Sequence, residues 1–148
     1  MGGFPTKLQP GSFPRADARA PANAAAANVT TQESTSSTTY ADLATVGPVV
    51  TLVTGTSVIV WLSAIGMKST TGYTSHLSVE VSGASRIAAN DTARAGGISS
   101  LASGPYTIAG VCILNGLTPG RNTFTMKYRV DGGPANNFSV RSIAVLAI

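Results

Sequence analysis

An all-β fold is what this 148-residue sequence predicts: an antiparallel β-sandwich, jelly-roll-like, of about eight strands, preceded by an extended N-terminal arm. Three observations predict it. Asn115 to Val130 reads as a turn followed by a strand whose polarity alternates with a period of two. Turn signals recur at short intervals from Gly47-Pro48 to Gly132-Gly133-Pro134, and no stretch between them is long and periodic enough for a helix. The first 37 residues, by contrast, carry Pro5, Pro10, Pro14 and Pro21, each disfavouring helix at the residue before it.

Taken in order, residues 1–37 form an arm and linker, and residues 38–148 the sandwich domain. Ala22 to Ala27 is too short for an isolated helix in water. Thr30 to Thr39 is nearly all Ser and Thr, the composition of a solvated linker. The arm nevertheless holds Phe4, Leu8 and Phe13, interleaved with Lys7, Arg15 and Arg19. Large apolar residues without local partners point to docking into grooves of another protein, with order gained on binding. The plain alternative is a disordered tail.

Strands are expected at about 38–45, 48–54, 57–66, 76–82, 84–89, 105–114, 121–131 and 138–147. In the seventh, Phe124, Met126, Tyr128 and Val130 face one way, and Thr123, Thr125, Lys127 and Arg129 the other. Pro119 and Gly120 suit the type II turn before it. An immunoglobulin-like sandwich is the near alternative, but its Cys…Trp…Cys framework is absent. Asn90 to Ser103 reads as a long loop, either a binding loop or a connection. Gly132-Gly133-Pro134 reads as a hairpin connection.

Val58 to Leu62 and Ile108 to Leu114 are apolar on both faces, so both faces must be covered. Loops, another copy of the subunit, or burial inside one sandwich would each do this. A subunit interface would use Ile59, Trp61 and Ile113. The apolar ending Ile143 to Ile148 also needs cover.

Composition narrows the function classes. Charged residues are 11% of the chain and the net charge is +4, too small and dispersed for nucleic-acid binding. The longest apolar run is too short to cross a bilayer, so no membrane partner is expected. Met1 to Lys7 lacks the apolar segment of a secretory signal, which implies synthesis in the cytoplasm. Cys112, the single cysteine, precludes an internal disulfide and suits a small core residue. His76, the single histidine, has no nucleophile and base arranged around it in sequence. The acids Asp17, Glu33, Asp42, Glu80, Asp91 and Asp131 show no spacing of a paired carboxylate site or a calcium loop. No catalytic residue, cofactor or metal is therefore expected, and the chain reads as a non-enzyme. Trp61, Tyr40, Tyr73, Tyr106 and Tyr128 could in principle stack on sugars, although core packing is the commoner use of such positions.

Leu117-Thr118-Pro119-Gly120, Asn122 to Thr125 and Tyr128-Arg129-Val130 resemble a C-terminal module of tailed-phage virion proteins, particularly from phages of actinobacteria. Thr38 to Pro48 and Val81 to Ala84 resemble the same module, so the likeness covers roughly residues 30–148. What the resemblance implies is a structural virion protein on the outer surface of the capsid, made in the host cytoplasm. A module standing alone behind a short arm suggests a capsid decoration protein, a homotrimer that cements the major capsid protein through Phe4, Lys7, Leu8, Phe13, Arg15 and Arg19. The alternative is a minor tail or receptor-binding component that recognises host cell-wall glycan.

Overall fold

The computed structural model describes residues 23–68, 72–99 and 104–148. Nine strands lie among them: β1 (Ala24–Val29), β2 (Glu33–Thr35), β3 (Val49–Thr54), β4 (Ser57–Lys68), β5 (Thr74–Gly83), β6 (Arg94–Ser99), β7 (Gly104–Asn115), β8 (Gly120–Val130) and β9 (Asn136–Ala147). One sheet has the order β1-β9-β4-β7, with β2 also on β9, and the other β3-β8-β5-β6. Every described pairing is antiparallel. Setting the short β2 aside, the first sheet takes the first, last, third and sixth strands, and the second sheet the rest. That arrangement is a jelly roll. Among the described strands, only β5 and β6 are sequence neighbours paired in one sheet. The glycine-rich turn after β8 therefore crosses between sheets rather than closing a hairpin.

The sandwich forms because each central strand has one apolar face to hide. Val58, Val60, Leu62 and Ala64 of β4 and Phe138, Ile143 and Val145 of β9 meet Leu77, Val79 and Val81 of β5 and Phe124, Met126, Tyr128 and Val130 of β8. All are buried, as the alternation in β8 predicts. Gly120 takes φ of 143° at the turn before β8, which Pro119-Gly120 anticipates.

The expected and observed strands differ at both kinds of boundary. Residues 38–45 make only the isolated bridge Ala41–Tyr128, and residues 84–89 only the bridge Val81–Ile87. Conversely, β6 occupies much of the segment read as a loop. Most consequential, β1 and β2 lie inside the expected arm and linker. Ala24 pairs with Leu146 and Val29 with Arg141, so residues 24–29 close the outer edge of β9.

A buried charge explains why the Ser/Thr-rich stretch is not a free linker. Arg141 is fully buried in β9, and its guanidinium pairs with Glu33 of β2 at 3.0 Å. Glu33 in turn accepts hydrogen bonds from the Thr45 amide at 2.9 Å and the Thr45 hydroxyl at 2.6 Å. The guanidinium also donates to the carbonyls of Thr31 and Thr45 and lies over the Tyr128 ring at 5.6 Å. A buried cation demands such partners, so residues 31–45 are held to the body by it. Arg141 points inward in phase with Ile143 and Val145, and a bulge just before it returns Phe138 to the same face. Between the pairs Ser63–Ser142 and Ile65–Ser139, β9 has one residue more than β4, and Val140 there takes φ of 46°.

Candidate interaction surface

The outward side chains of the first sheet can be read row by row from the strand register. One row runs Ala24, Leu146, Ile59, Ile113 across β1, β9, β4 and β7. The next runs Ala26, Ala144, Trp61, Val111, and a third Asn28, Ser142, Ser63, Ala109. Ile65 and Met67 continue the face along β4. Trp61 is 43% exposed, Val111 56% and Ile113 58%. No charged side chain of the described residues belongs to this face. The middle row is small on its β1–β9 half and large on its β4–β7 half. An open depression results, lined by Ala26, Asn28, Trp61, Ser63, Val111 and Ser142. A contiguous apolar patch of this extent on a sheet face marks a surface that binds something.

The outer face of the second sheet is built oppositely. Lys127 pairs with Asp42 at 2.7 Å and Glu80 at 3.5 Å. Arg129 pairs with Asp91 at 2.9 Å and Asp131 at 2.7 Å and stacks over Tyr40 at 5.2 Å. His76 Nε2 meets Asp131 Oδ1 at 2.8 Å. The chain itself supplies the cover. Residues 37–48 hydrogen-bond along β8, through Ser37, Ala41 and Pro48 carbonyls, and Tyr128 donates its hydroxyl proton to the Gly47 carbonyl. A 3-10 turn at Asp91–Ala93, capped by Asn90, sits over β5 through Ser78, whose hydroxyl bonds the carbonyls of Asn90 and Ala93.

Electrostatics follow from this pairing. Hydrogen bonds from Arg129 and Tyr40 hold the Asp91 carboxyl below its ordinary range. At Asp131 burial works upward, but His76 and Arg129 together outweigh it and the carboxyl is held low. Thr45, then Arg141, holds Glu33 low against partial burial. Burial pushes the Tyr40 phenol up to about 12. All five acids of the described residues are engaged in ion pairs.

The structure brings Ile59, Trp61 and Ile113 together. Ile59 is register partner to Ile113, and Trp61 stands one row along on the same face. Phe4, Lys7, Leu8, Phe13, Arg15 and Arg19 lie outside the described residues. The aromatic residues do not form a common platform. Tyr128 is buried, Tyr40 belongs to the second sheet's cover, Tyr106 packs against the core and bonds Ser75, and Tyr73 lies against Gly133. Cys112 points inward toward the core, and burial pushes its thiol up to about 11. The alanines of β1 were invisible as site residues, because nothing in Ala24 to Ala27 signals a strand until β9 lies beside it.

Similarity to known proteins enters at the level of this fold. A chain in the structure of infectious bursal disease virus, Gt strain, superposes with a TM-score of 0.51 at 14% identity. The likeness is one of fold. It covers 84% of the present chain and 32% of that one, so the chain spans about a third of its length. No family model matches the sequence, and no curated protein does. That likeness of fold agrees with the sandwich expected from the sequence.

Proposed function

We propose that this chain is a structural component of a virion, and specifically a capsid decoration protein that binds the major capsid protein and stabilises a tailed-phage head. One observation carries the reading: a jelly roll similar in fold to a virus chain presents a broad apolar sheet face that its described residues leave open and free of charge. The tether is confined to residues 1–22, since Ala24–Val29 is a strand of the body. That length spans at most about 70 Å at ~3.3 Å per residue, enough to cross from one capsid subunit to a neighbour. Phe4, Leu8 and Phe13 act as apolar anchors, and Lys7, Arg15 and Arg19 pair with acidic shell residues. Many copies on one shell multiply weak contacts into firm attachment.

The test is co-sedimentation of the full chain, and of a chain lacking residues 1–22, with phage heads devoid of the native product. Loss of binding on deletion, and on Phe4→Asp with Phe13→Asp, is the expected result. Undiminished binding by both variants overturns the tether. Deletion must stop at residue 22, because a longer cut removes β1 and uncovers β9.

A second reading rests on the depression beside Trp61. Its indole is flanked by the small polar groups of Asn28, Ser63 and Ser142, a composition that a cell-wall sugar ring can stack on and hydrogen-bond. A tail component recognising glycan follows from that site. Binding of cell-wall fragments by the full chain, abolished by Trp61→Ala, would favour it, and localisation of the protein to heads would count against it.

A further inference from the structure

We infer that the open face of the first sheet is the surface on which a second copy of this chain sits, paired face to face about a twofold axis that runs along the strands between β9 and β4. The inference goes beyond the virion assignment and does not depend on it.

The pattern of side-chain sizes selects this occupant. Across the middle row the face reads Ala26, Ala144, Trp61, Val111, small on one half and large on the other. A twofold axis lying in the interface along the strands exchanges the two halves. It places β4 of one copy over β9 of the other, and β7 over β1. Trp61 then falls on Ala144 of the second copy and Val111 on Ala26, with the reciprocal contacts made at the same time. An isologous interface needs this self-complementarity, one patch matching itself. An axis across the strands would instead set Trp61 and Val111 against their own copies and leave the alanines facing each other.

Size and charge agree. Three 12-residue strands and the six-residue β1, at ~4.8 Å spacing and ~3.3 Å per residue, make a face of about 670 Å², near the ~800 Å² each partner buries in a standard interface. No charge among the described residues is buried by the pairing, and the polar groups present are small. Two sheets packed this way lie about 10 Å apart with their strands within roughly 30°, the geometry of an ordinary sandwich core.

Sedimentation equilibrium of the full chain tests the inference. Twice the chain mass is expected at roughly micromolar concentration, the range of a modest standard-size interface. Ala26→Glu and Trp61→Lys, each read alongside far-UV circular dichroism and the thermal midpoint, are expected to weaken association at least about tenfold while the fold persists. Ala26 is exposed and small, so its variant keeps the test alive should the tryptophan variant fail to fold. In a Cys112→Ser background, the pair Ala26→Cys and Val111→Cys is expected to be joined between copies by a short bismaleimide. Within one chain the two positions are three strand spacings, about 14 Å, apart and beyond its reach. A monomer at all accessible concentrations, a threefold mass, or a dimer indifferent to both charge variants overturns the pairing. None of those outcomes alters the particle-binding test of the virion reading.

Discussion

The two sheets of this jelly roll share an interior and differ in what they show outside. The second sheet turns Lys127, Arg129 and His76 outward, and the chain answers with Glu80 beside them on β5 and with Asp42, Asp91 and Asp131 outside the strands. The first turns Trp61, Ile65, Met67, Val111 and Ile113 outward, and no loop among the described residues covers them. The outward cations have carboxylate partners within the chain, whereas the outward apolar groups have no cover among the described residues. Among the described residues, the cover that the second sheet has is missing from the first.

The largest test of this contrast lies at its hinge, where Arg141 fastens residues 31–45 before they run along the second sheet. Arg141→Ala leaves Glu33 without its cation and opens a cavity under Tyr128. Chemical denaturation is expected to show a loss of about 3–5 kcal/mol, the usual cost of breaking a buried pair from one side. Replacing both partners by apolar residues, Arg141→Met with Glu33→Leu, is expected to recover most of it. If the single variant loses under about 1 kcal/mol, the charge does not anchor the segment.

Cover by ion pairs also has a pH signature that cover by apolar contact lacks. Glu33, Asp91 and Asp131 have folded pKa values depressed below their unfolded ones. Their contribution to stability is therefore complete above about pH 4.5 and is lost as pH falls through the depressed folded values. Thermal midpoints followed from pH 6 to pH 3 are expected to fall by several degrees. Hydrogen exchange should open first over residues 37–48 and 89–93, while β4 and β7 stay protected. A midpoint flat across that range would mean the second sheet's cover does not rest on its carboxylates.

What the sequence made legible follows the same division. The central strands announce themselves, because Phe124 to Val130 and Val58 to Leu62 must bury their own side chains and the pattern records it. Ile59, Trp61 and Ile113 were legible as a face for the same reason: an apolar strand needs two covers, and the sandwich provides one. Strand β1 was not legible. Four alanines in a row carry no period, and their pairing is dictated by β9, more than a hundred residues away. Glu33 looked like one acid in a solvated linker until Arg141, inward in phase with Ile143 and Val145, gave it a partner. Residues 38–45 misled in the other direction. Their strand-like composition serves a loop that lies along β8 and pairs with it at Ala41 alone.

A smaller effect separates the outward cation from the inward one. Lys127 is part-buried beneath residues 37–48, with its ammonium between Asp42 and Glu80. Both acids keep access to water, so Lys127→Met leaves no dry, unpaired charge, and the methionine stem still packs on the loop. The expected loss is about 1 kcal/mol by denaturant midpoint, well under that of Arg141→Ala. Equal losses would show that exposure does not set the worth of these pairs.

The bulge offers the smallest change and the one with opposite sign. Val140 is β-branched and half exposed, yet holds φ of 46°, a region that costs an ordinary residue roughly 1 kcal/mol or more. Asparagine tolerates that region far better and fits an exposed site. Val140→Asn is therefore expected to stabilise the fold by about 0.5–1 kcal/mol, read as a raised thermal midpoint. It should do so without moving Arg141, because the geometry that turns the guanidinium inward is kept and only its strain is relieved. A loss of stability instead would place the value of Val140 in its side chain, and would extend the apolar face of the first sheet one residue further along β9.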